Sequence, residues 1–207
     1  MSACKPSPPG AVSVSGRRRQ LSQAALCTLL AALCVPFGAR ADDEVWDALQ
    51  RGSHVILLRH ATTTPGVGDP PGFKLDECST QRNLSDDGRA EARKLGEAFR
   101  ARKLAVERVL SSPWCRCIET ARLVFDATPE TSVALSNLFG QPENRDKQVA
   151  DLRNLVSSFK GRGNLVLVSH GSTIAALTGV MPEQAEMVVV RPEGSGKFSV
   201  AGRLSVR

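Results

Sequence analysis

Two of the three histidines in this 207-residue chain directly follow short apolar runs. His60, with Arg59 before it, follows the run at residues 55–58, and His170 follows the run at residues 165–169. A short apolar run bounded by turn residues predicts a buried parallel strand. Because ligands bind beyond the carboxyl ends of parallel strands, we expect a fixed cation and two imidazoles at the mouth of one crevice.

Arg116 follows a further predicted strand. Residues 106–110 are predicted to form this strand, and Pro113 suits the first turn of the helix after it. Arg116 therefore lies one turn into a helix that begins in the same crevice. His54 stands at the start of the first strand, away from the crevice, and is interpreted as structural.

Two arginines and two histidines suit a phosphoryl group. One guanidinium group can donate hydrogen bonds to two phosphate oxygens at once, and it stays charged at any relevant pH. A neutral imidazole nitrogen can attack phosphorus and hold the phosphoryl group covalently, while the cations stabilise charge on the equatorial oxygens. The amides after His170, beginning at Gly171, add an anion site at a helix N-terminus. This chemistry requires no metal or other cofactor.

The alternation of strands and helices predicts an α/β fold, a three-layer α/β/α sandwich with a mostly parallel central sheet. A long polar loop spans residues 62–81, and long loops in compact domains are more often functional than idle. Strands are predicted at 55–58, 106–110, 132–135, 165–169, 187–190 and 198–205, and helices at 44–50, 86–102 and 172–178. Two further helices are predicted, one after Pro113 with Ile118, Ala121 and Phe125 on one face, and one marked by Val149, Leu152, Val156 and Phe159.

The first 41 residues are predicted to be a secretory signal peptide. Three arginines at 17–19 precede an apolar stretch at 21–35, and Ala39-Arg40-Ala41 offers a cleavage site. The stretch is shorter than the roughly 20 residues of a transmembrane helix, although a retained membrane anchor is the alternative. We therefore expect an exported, periplasmic domain at 42–207, without stable membrane insertion after cleavage.

The charge of the mature domain argues against a nucleic-acid partner. The leader carries five of the 27 basic residues and none of the 21 acidic ones, which leaves 22 against 21, or +1. Nucleic-acid binding depends on clustered positive charge. Residues 42–207 suffice for one domain with a sizeable core.

Three cysteines remain after the predicted cleavage, Cys78, Cys115 and Cys117. Cys115 and Cys117 are too close in sequence to pair readily with each other, so Cys78 is predicted to pair with one of them. Such a bond ties the 62–81 loop to the segment that carries Arg116. Three reduced thiols are the alternative. A Cys-x-Cys pair without a further ligand at suitable spacing does not predict a metal site.

Four motifs follow one another through the mature chain. They are Leu58-Arg59-His60-Ala61, Leu84-Ser85-Asp86-Asp87-Gly88, Ser111-Ser112-Pro113-Trp114-Cys115-Arg116-Cys117-Ile118-Glu119-Thr120-Ala121 and Val168-Ser169-His170-Gly171. Together they resemble the histidine phosphatase superfamily in its phosphoglycerate-mutase-like branch, with alanine for glycine in the first motif. The resemblance implies the fold of that branch. It also implies that His60 is the phosphorylated nucleophile and that Arg59, Arg116 and His170 hold the phosphoryl group.

Two departures from the family pattern concern catalysis. Many members carry a glutamate that protonates the leaving group, whereas Asn137 stands near that place here, and an amide cannot supply the proton as a carboxylic acid does. Glu143 and Asp146 lie just downstream and are candidate donors. The alternatives are that they are ordinary loop charges or that the substrate has a good leaving group, as phosphohistidine does. Thr62 is a candidate phosphate ligand, with a simple turn residue as the alternative.

These observations predict a periplasmic, metal-independent phosphomonoesterase that acts on a small phosphorylated substrate. An envelope phospho-sugar is expected by analogy with exported members of the superfamily. Two alternatives are a catalytically weak module that binds a phosphorylated ligand, and a phosphotransferase or mutase. The intact set of Arg59, His60, Arg116 and His170 favours an enzyme, because a binding module need not keep the nucleophile.

Overall fold

The computed structural model describes residue 1 and residues 37–139 and 142–206, with the backbone alone at residues 37–40 and 142. The chain divides into two units, residues 1–39 and 40–207, and the second carries the sheet. In chain order the elements are α1 (Phe37–Arg51), β1 (Val55–Arg59), α2 (Asp86–Ala101), β2 (Val106–Ser111), α3 (Cys115–Phe125), β3 (Glu130–Thr131), α4 (Arg145–Ser157), β4 (Asn164–Ser169), α5 (Gly171–Thr178), β5 (Met187–Gly194) and β6 (Lys197–Leu204). Among these described helices, none has the length and apolar character needed to span a membrane.

The six strands form one sheet in the order β3-β2-β4-β1-β5-β6. The strands β3, β2, β4 and β1 are parallel to one another, and β5 and β6 add an antiparallel edge beside β1. The predicted α/β fold with a mostly parallel sheet is confirmed.

Both faces of the sheet are buried. Ile56 and Leu58 of β1 pack into one apolar core with residues of α1, α2 and α3. Val55 and Leu57 pack into a second core with residues of α4 and α5. Because alternate side chains of a strand point to opposite faces, the sheet lies between two helical layers, as the sequence predicts.

The register of the central strands brings the predicted motifs to one edge of the sheet. Arg59 pairs with Ser169 across β1 and β4, and the His60 amide donates to the Ser169 carbonyl at 3.0 Å. On the other side of β4, the Ser112 amide donates to the Val168 carbonyl at 2.8 Å. The segments that follow β1, β2 and β4 therefore begin side by side.

The motif at residues 84–88 starts α2 against the chain that leaves β1. Ser85 caps the helix, because its Oγ accepts a hydrogen bond from the Gly88 amide at 3.1 Å. The Ser85 amide donates to the Thr62 carbonyl at 3.0 Å. A Cβ at Gly88 would lie 1.9 Å from that carbonyl oxygen, so only glycine permits this close approach.

The 62–81 loop is fastened to α3. A disulfide joins Cys78 to Cys115, which confirms the predicted pairing with one of the two candidates, and Cys117 is a buried free thiol. Gln81 adds a second link, since its Oε1 accepts from the Cys115 amide at 3.0 Å and its Nε2 donates to the Lys74 carbonyl at 2.9 Å. The loop is thus held at the end that approaches Arg116.

The strand predicted at 132–135 is wrong. The third strand covers only Glu130–Thr131, and Val133–Leu135 form a 3₁₀ turn. The Ser132 amide bonds to the Ser111 carbonyl at the end of β2, and the Leu135 amide then returns to the Ser132 carbonyl. These bonds turn the chain away from the sheet after two paired residues.

The first helix is longer than predicted, since α1 spans Phe37–Arg51 rather than 44–50. The helix predicted around 149–159 begins earlier, at Arg145, and ends at Ser157. Most of the predicted leader lies outside the described residues. Its cleavage and the export of the domain therefore stay predictions.

Candidate active site

A cavity of about 280 Å³ opens where β1 and β4 end. Five predicted site residues line it: Arg59, His60, Arg116, His170 and Gly171. The other lining residues are Gly66, Val67, Gly68, Arg82, Asn137, Phe139, Ser172 and Met181. The structure therefore brings together the four side chains on which the predicted phosphoryl chemistry depends, and it adds a third arginine.

His60 is held in one tautomer. Its side chain is buried, with 3% exposed, and its Nδ1 lies 2.9 Å from the carbonyl oxygen of Ala61. A carbonyl only accepts, so Nδ1 carries the proton and Nε2 keeps its lone pair. Burial and, to a smaller extent, the nearby arginines lower the pKa of His60 to about 3, against the opposing effect of the Ala61 hydrogen bond. The ring is therefore neutral at neutral pH.

His170 has a partner on each ring nitrogen. Its Nε2 lies 2.8 Å from Ser112 Oγ and its Nδ1 lies 3.5 Å from Nη2 of Arg116. Because a guanidinium only donates, Nδ1 accepts and Nε2–H donates to the serine. Burial, then the adjacent His60 and the arginines, hold the pKa of His170 well below its usual value. The two rings meet edge to face, with centroids 5.4 Å apart.

Asp69, which the sequence reasoning missed, holds Arg116. Its carboxylate accepts from Nη1 of Arg116 at 2.7 Å and from Nη2 at 3.2 Å, and both side chains are almost fully buried. It also accepts from the indole of Trp114 and from the amide of Arg82. Burial would raise the pKa of Asp69, but these hydrogen bonds outweigh it and hold the pKa below its usual value. Asp69 is therefore an ionised anchor.

Three arginines at the cavity each offer a hydrogen-bond donor to a ligand. Nε of Arg59, Arg82 and Arg116 is buried without a hydrogen-bond partner among the described residues. Other nitrogens of Arg59 and Arg82 are fixed by carbonyls of Pro182 and Gly66. A buried donor without a partner is costly, and a phosphate supplies the acceptors that these donors lack.

Arg82 is the second residue that the sequence reasoning missed. It lies two positions before the Leu84-Ser85 motif, at the end of the 62–81 loop. That proximity to a family motif is the signal by which it could have been found. With Asp69 balancing one charge and both histidines neutral, the three arginines leave the site cationic.

Gly171 allows Arg59 to approach the start of α5. A Cβ at this position would lie 3.2 Å from both Cζ and Nε of Arg59 and 3.0 Å from Sδ of Met181. The glycine therefore leaves room for a guanidinium beside the first amides of the helix. The anion-binding role of Gly171 stays a prediction.

Thr62 does not belong to the site, and its predicted role as a phosphate ligand is corrected. Its hydroxyl donates to Oε1 of Glu91 at 3.0 Å and its amide donates to Oε2 at 3.1 Å. The physical reason is the packing of α2, which offers Thr62 a carboxylate on the side away from the cavity. Thr62 therefore binds α2 through Glu91 and does not face a ligand in the cavity.

The candidate proton donors Glu143 and Asp146 are also not brought to the cavity. Both are exposed, one in the 3₁₀ turn Pro142–Asn144 and the other in the first turn of α4. Asn137 does line the cavity, where its Oδ1 accepts from Ser172 Oγ at 2.8 Å. No carboxylate lines the cavity among the described residues, and the undescribed stretches contain no Asp or Glu.

Metal-ligating side chains are not clustered in the part of the chain that the structure describes. No group of three or more His, Cys, Asp or Glu residues there is arranged to hold an ion. The ionisable side chains that line the cavity are three guanidiniums and two imidazoles. The predicted independence from metals is tested by the experiment proposed below.

A sequence model of the histidine phosphatase superfamily (branch 1) matches residues 55–151. This range contains Arg59, His60 and Arg116, while His170 lies beyond it. Comparison with curated proteins gives no match.

Similar solved structures cover a larger share of the chain than the family model does. The protein histidine phosphatase SixA complexed with tungstate is 19% identical, with a TM-score of 0.56 over 73% of this chain and 96% of the other. A mycobacterial glucosyl-3-phosphoglycerate phosphatase complexed with VO3 is 18% identical, with a TM-score of 0.53 over 72% and 97%. A phosphoserine phosphatase from Entamoeba histolytica, in complex with 3-phosphoglyceric acid, is 12% identical, with a TM-score of 0.56 over 74% and 98%.

At identities of 12–19%, these structures show a shared fold alone. The sequence likeness to a family comes from the model that matches residues 55–151. The match spans β1, which leads to Arg59 and His60, and α3, which carries Arg116. The chain therefore resembles the histidine phosphatase superfamily over residues 55–151 and shares the fold of the phosphatases named above.

Proposed function

We propose that this protein is a metal-independent phosphomonoesterase that acts through a phosphohistidine on Nε2 of His60. The observation that carries the proposal is the bond from Nδ1 of His60 to the Ala61 carbonyl. It leaves Nε2 as the one unprotonated ring nitrogen, within a cavity edged by three arginines. A neutral, fixed imidazole beside guanidiniums is the arrangement that nucleophilic phosphoryl transfer needs.

The reaction has two steps. In the first, the Nε2 lone pair forms a bond to phosphorus while the bond to the leaving oxygen breaks, and that oxygen keeps the electron pair. In the second, water attacks phosphorus, the N–P bond breaks and its electron pair returns to Nε2, while the water proton passes to solvent. Arg59, Arg82 and Arg116 stabilise the equatorial oxygens in both steps.

His170 acts in this proposal through Arg116. Its Nδ1 accepts from the guanidinium, and its Nε2–H is fixed by Ser112. Asp69 holds the opposite edge of the same guanidinium. Together they orient Arg116 and leave its Nε for the phosphoryl oxygens.

The proposed partner is a small phosphorylated substrate, and the proposed location is the periplasm. The substrate class is supported by the similar structures, one complexed with 3-phosphoglyceric acid and another named for glucosyl-3-phosphoglycerate. The location is supported by the predicted leader alone. Export by itself suggests an envelope phospho-sugar as one candidate substrate, which hydrolysis of a sugar phosphate tests.

The test is hydrolysis of p-nitrophenyl phosphate by the purified chain in the presence of EDTA. We expect turnover in EDTA, its loss in His60→Ala, and a phosphorylated protein species that is labile in acid and appears only with His60. Loss of turnover in EDTA, with recovery on adding a metal, would contradict metal independence. Undiminished turnover by His60→Ala would contradict the assigned nucleophile.

Two further outcomes separate the alternatives. Folded protein that binds vanadate without any turnover favours a module that binds a phosphorylated ligand. Product phosphate that is transferred to added glycerol rather than released favours a phosphotransferase. For a hydrolase, we expect the released phosphate to equal the p-nitrophenol formed.

A further inference from the structure

The mouth of the cavity is apolar although its floor is cationic. Val67, Phe139 and Met181 line it, and their side chains are 88%, 60% and 57% exposed. They are called the apolar rim below. Exposed large apolar residues that gather at one site mark a binding surface more often than scattered ones do.

The apolar rim lies directly beside the phosphoryl site. Cε1 of Phe139 is 3.7 Å from the position of a Cβ on Gly68, so its ring rests against the 62–81 loop. Sδ of Met181 is 3.0 Å from the corresponding position on Gly171, which Arg59 also approaches. A group attached to a phosphate held by the arginines therefore emerges between apolar side chains.

Phe139 is fixed at this mouth by Asn137. The Oδ1 of Asn137 accepts from the Phe139 amide at 3.1 Å and from Ser172 Oγ at 2.8 Å. The amide side chain thereby couples the backbone of the apolar rim to the first turn of α5. Asn137 stands near the place where the family resemblance puts a proton-donating glutamate, and here its side chain accepts from the amide of a hydrophobic residue.

The site also lacks a carboxylic acid to protonate a leaving group. None lines the cavity among the described residues, and Asp69 is engaged by Arg116. A phenol has a pKa of about 10, whereas an aliphatic alcohol lies near water, at about 16. An aryl oxide can therefore leave without a proton, while an alkoxide cannot leave readily.

We propose that the natural substrate is an aryl phosphate monoester, with its aromatic ring packed against the apolar rim. This inference rests on the proposed phosphatase mechanism and specifies the substrate class of the same site. Nε2 of His60 takes the phosphoryl group, the P–O bond breaks, and the aryl oxide departs with the electron pair and is protonated by solvent. A hexose would place hydroxyls against Phe139 and Met181 and would leave as an alkoxide.

The test compares kcat/KM for phenyl phosphate, acetyl phosphate and glucose 6-phosphate. Acetyl phosphate has a good leaving group but no ring, and glucose 6-phosphate has neither. We expect phenyl phosphate to exceed glucose 6-phosphate by about 10²-fold or more, the usual contribution of the missing general acid. Phe139→Ala and Met181→Ala should each lower the value for phenyl phosphate about five- to tenfold and leave acetyl phosphate unchanged.

Val133→Ala is the matched control, because Val133 is 79% exposed and lies outside the cavity. We expect this substitution to leave kcat/KM unchanged for all three substrates. Glucose 6-phosphate hydrolysed as well as phenyl phosphate would overturn the inference, and so would equal losses for acetyl and phenyl phosphate in Phe139→Ala. In both cases the phosphatase mechanism stands. Failure to hydrolyse any substrate, acetyl phosphate included, would reject that mechanism and the inference with it.

Discussion

The ends of β1 and β4 resemble each other in sequence and differ in chemistry. Each strand is buried and runs into a histidine, and the two ends are in register. His60 bonds through Nδ1 to the carbonyl of its own neighbour, Ala61. His170 has Ser112 on one nitrogen and Arg116 on the other. The first ring therefore keeps a nitrogen for a substrate, and the second is fully engaged by the protein.

The comparison teaches that hydrogen-bond partners assign roles that sequence context leaves open. Both rings are neutral because burial and nearby arginines lower the pKa of each. Neutrality alone would make either one a nucleophile. The partners decide between them, since a ring with two protein partners positions its neighbours. The following predictions test that division.

The largest effect is expected from His60→Gln. We expect kcat to fall about 10⁴-fold or more, as on loss of a catalytic nucleophile, because Gln cannot form the covalent intermediate. Turnover of p-nitrophenyl phosphate and incorporation of label from a radioactive aryl phosphate measure it. His54→Gln is the matched control, since His54 lies at the other end of β1 and bonds to the Gly52 carbonyl. A similar fall in kcat in His54→Gln would show that the effect is not specific to the histidine in the cavity.

A smaller effect is expected from His170→Gln. We expect kcat to fall about 10²-fold, the effect of disturbing one group that stabilises the transition state, while His60 is still phosphorylated. Rapid-quench labelling of the protein separates this result from that of His60→Gln. Absence of any label in His170→Gln would mean that the two histidines are not divided as nucleophile and positioning residue.

Asp69→Asn tests whether the carboxylate of Asp69 orients Arg116 for catalysis. We expect kcat/KM to fall about 10- to 30-fold, because loss of a carboxylate that orients a site residue commonly costs between 10- and 100-fold. Ser112 and His170 keep their bond, so the labelled species should persist. Glu130→Gln, which removes an exposed ion pair with Arg108, should have no effect. Equal activity of Asp69→Asn and the wild type would show that Arg116 needs no carboxylate.

The smallest expected effect concerns the pH dependence of the free energy of unfolding. The pKa of His60 is lowered to about 3 in the folded protein from 6.5, so between these values the unfolded chain binds a proton that the folded chain does not. Stability is therefore lost as pH falls below 6.5, by about 1.4 kcal/mol per pH unit for each such histidine. Urea unfolding at pH 7.5 and pH 5 measures this, and His60→Gln should weaken the dependence. An unchanged dependence would contradict a neutral His60.

Much of the fold follows from short patterns. The apolar runs before Arg59 and before His170 predict the central strands, because a buried strand must be apolar on both faces. Glycine at position 88 and serine at position 85 mark the start of α2 through local capping. The strand predicted at 132–135 fails because its pairing depends on where β2 ends, which is not a local property.

The sequence by itself determined that Arg59, His60, Arg116 and His170 reach one edge, since each follows a strand and parallel strands end together. Only the tertiary structure decided what each side chain contacts. Thr62 donates to Glu91, Asp69 accepts from Arg116, and Asn137 accepts from Ser172. These partners are far apart in sequence, and loop paths set by the packed helices and the Cys78–Cys115 bond bring them together. Local patterns fix where a strand ends, whereas the direction of the next side chain depends on distant partners.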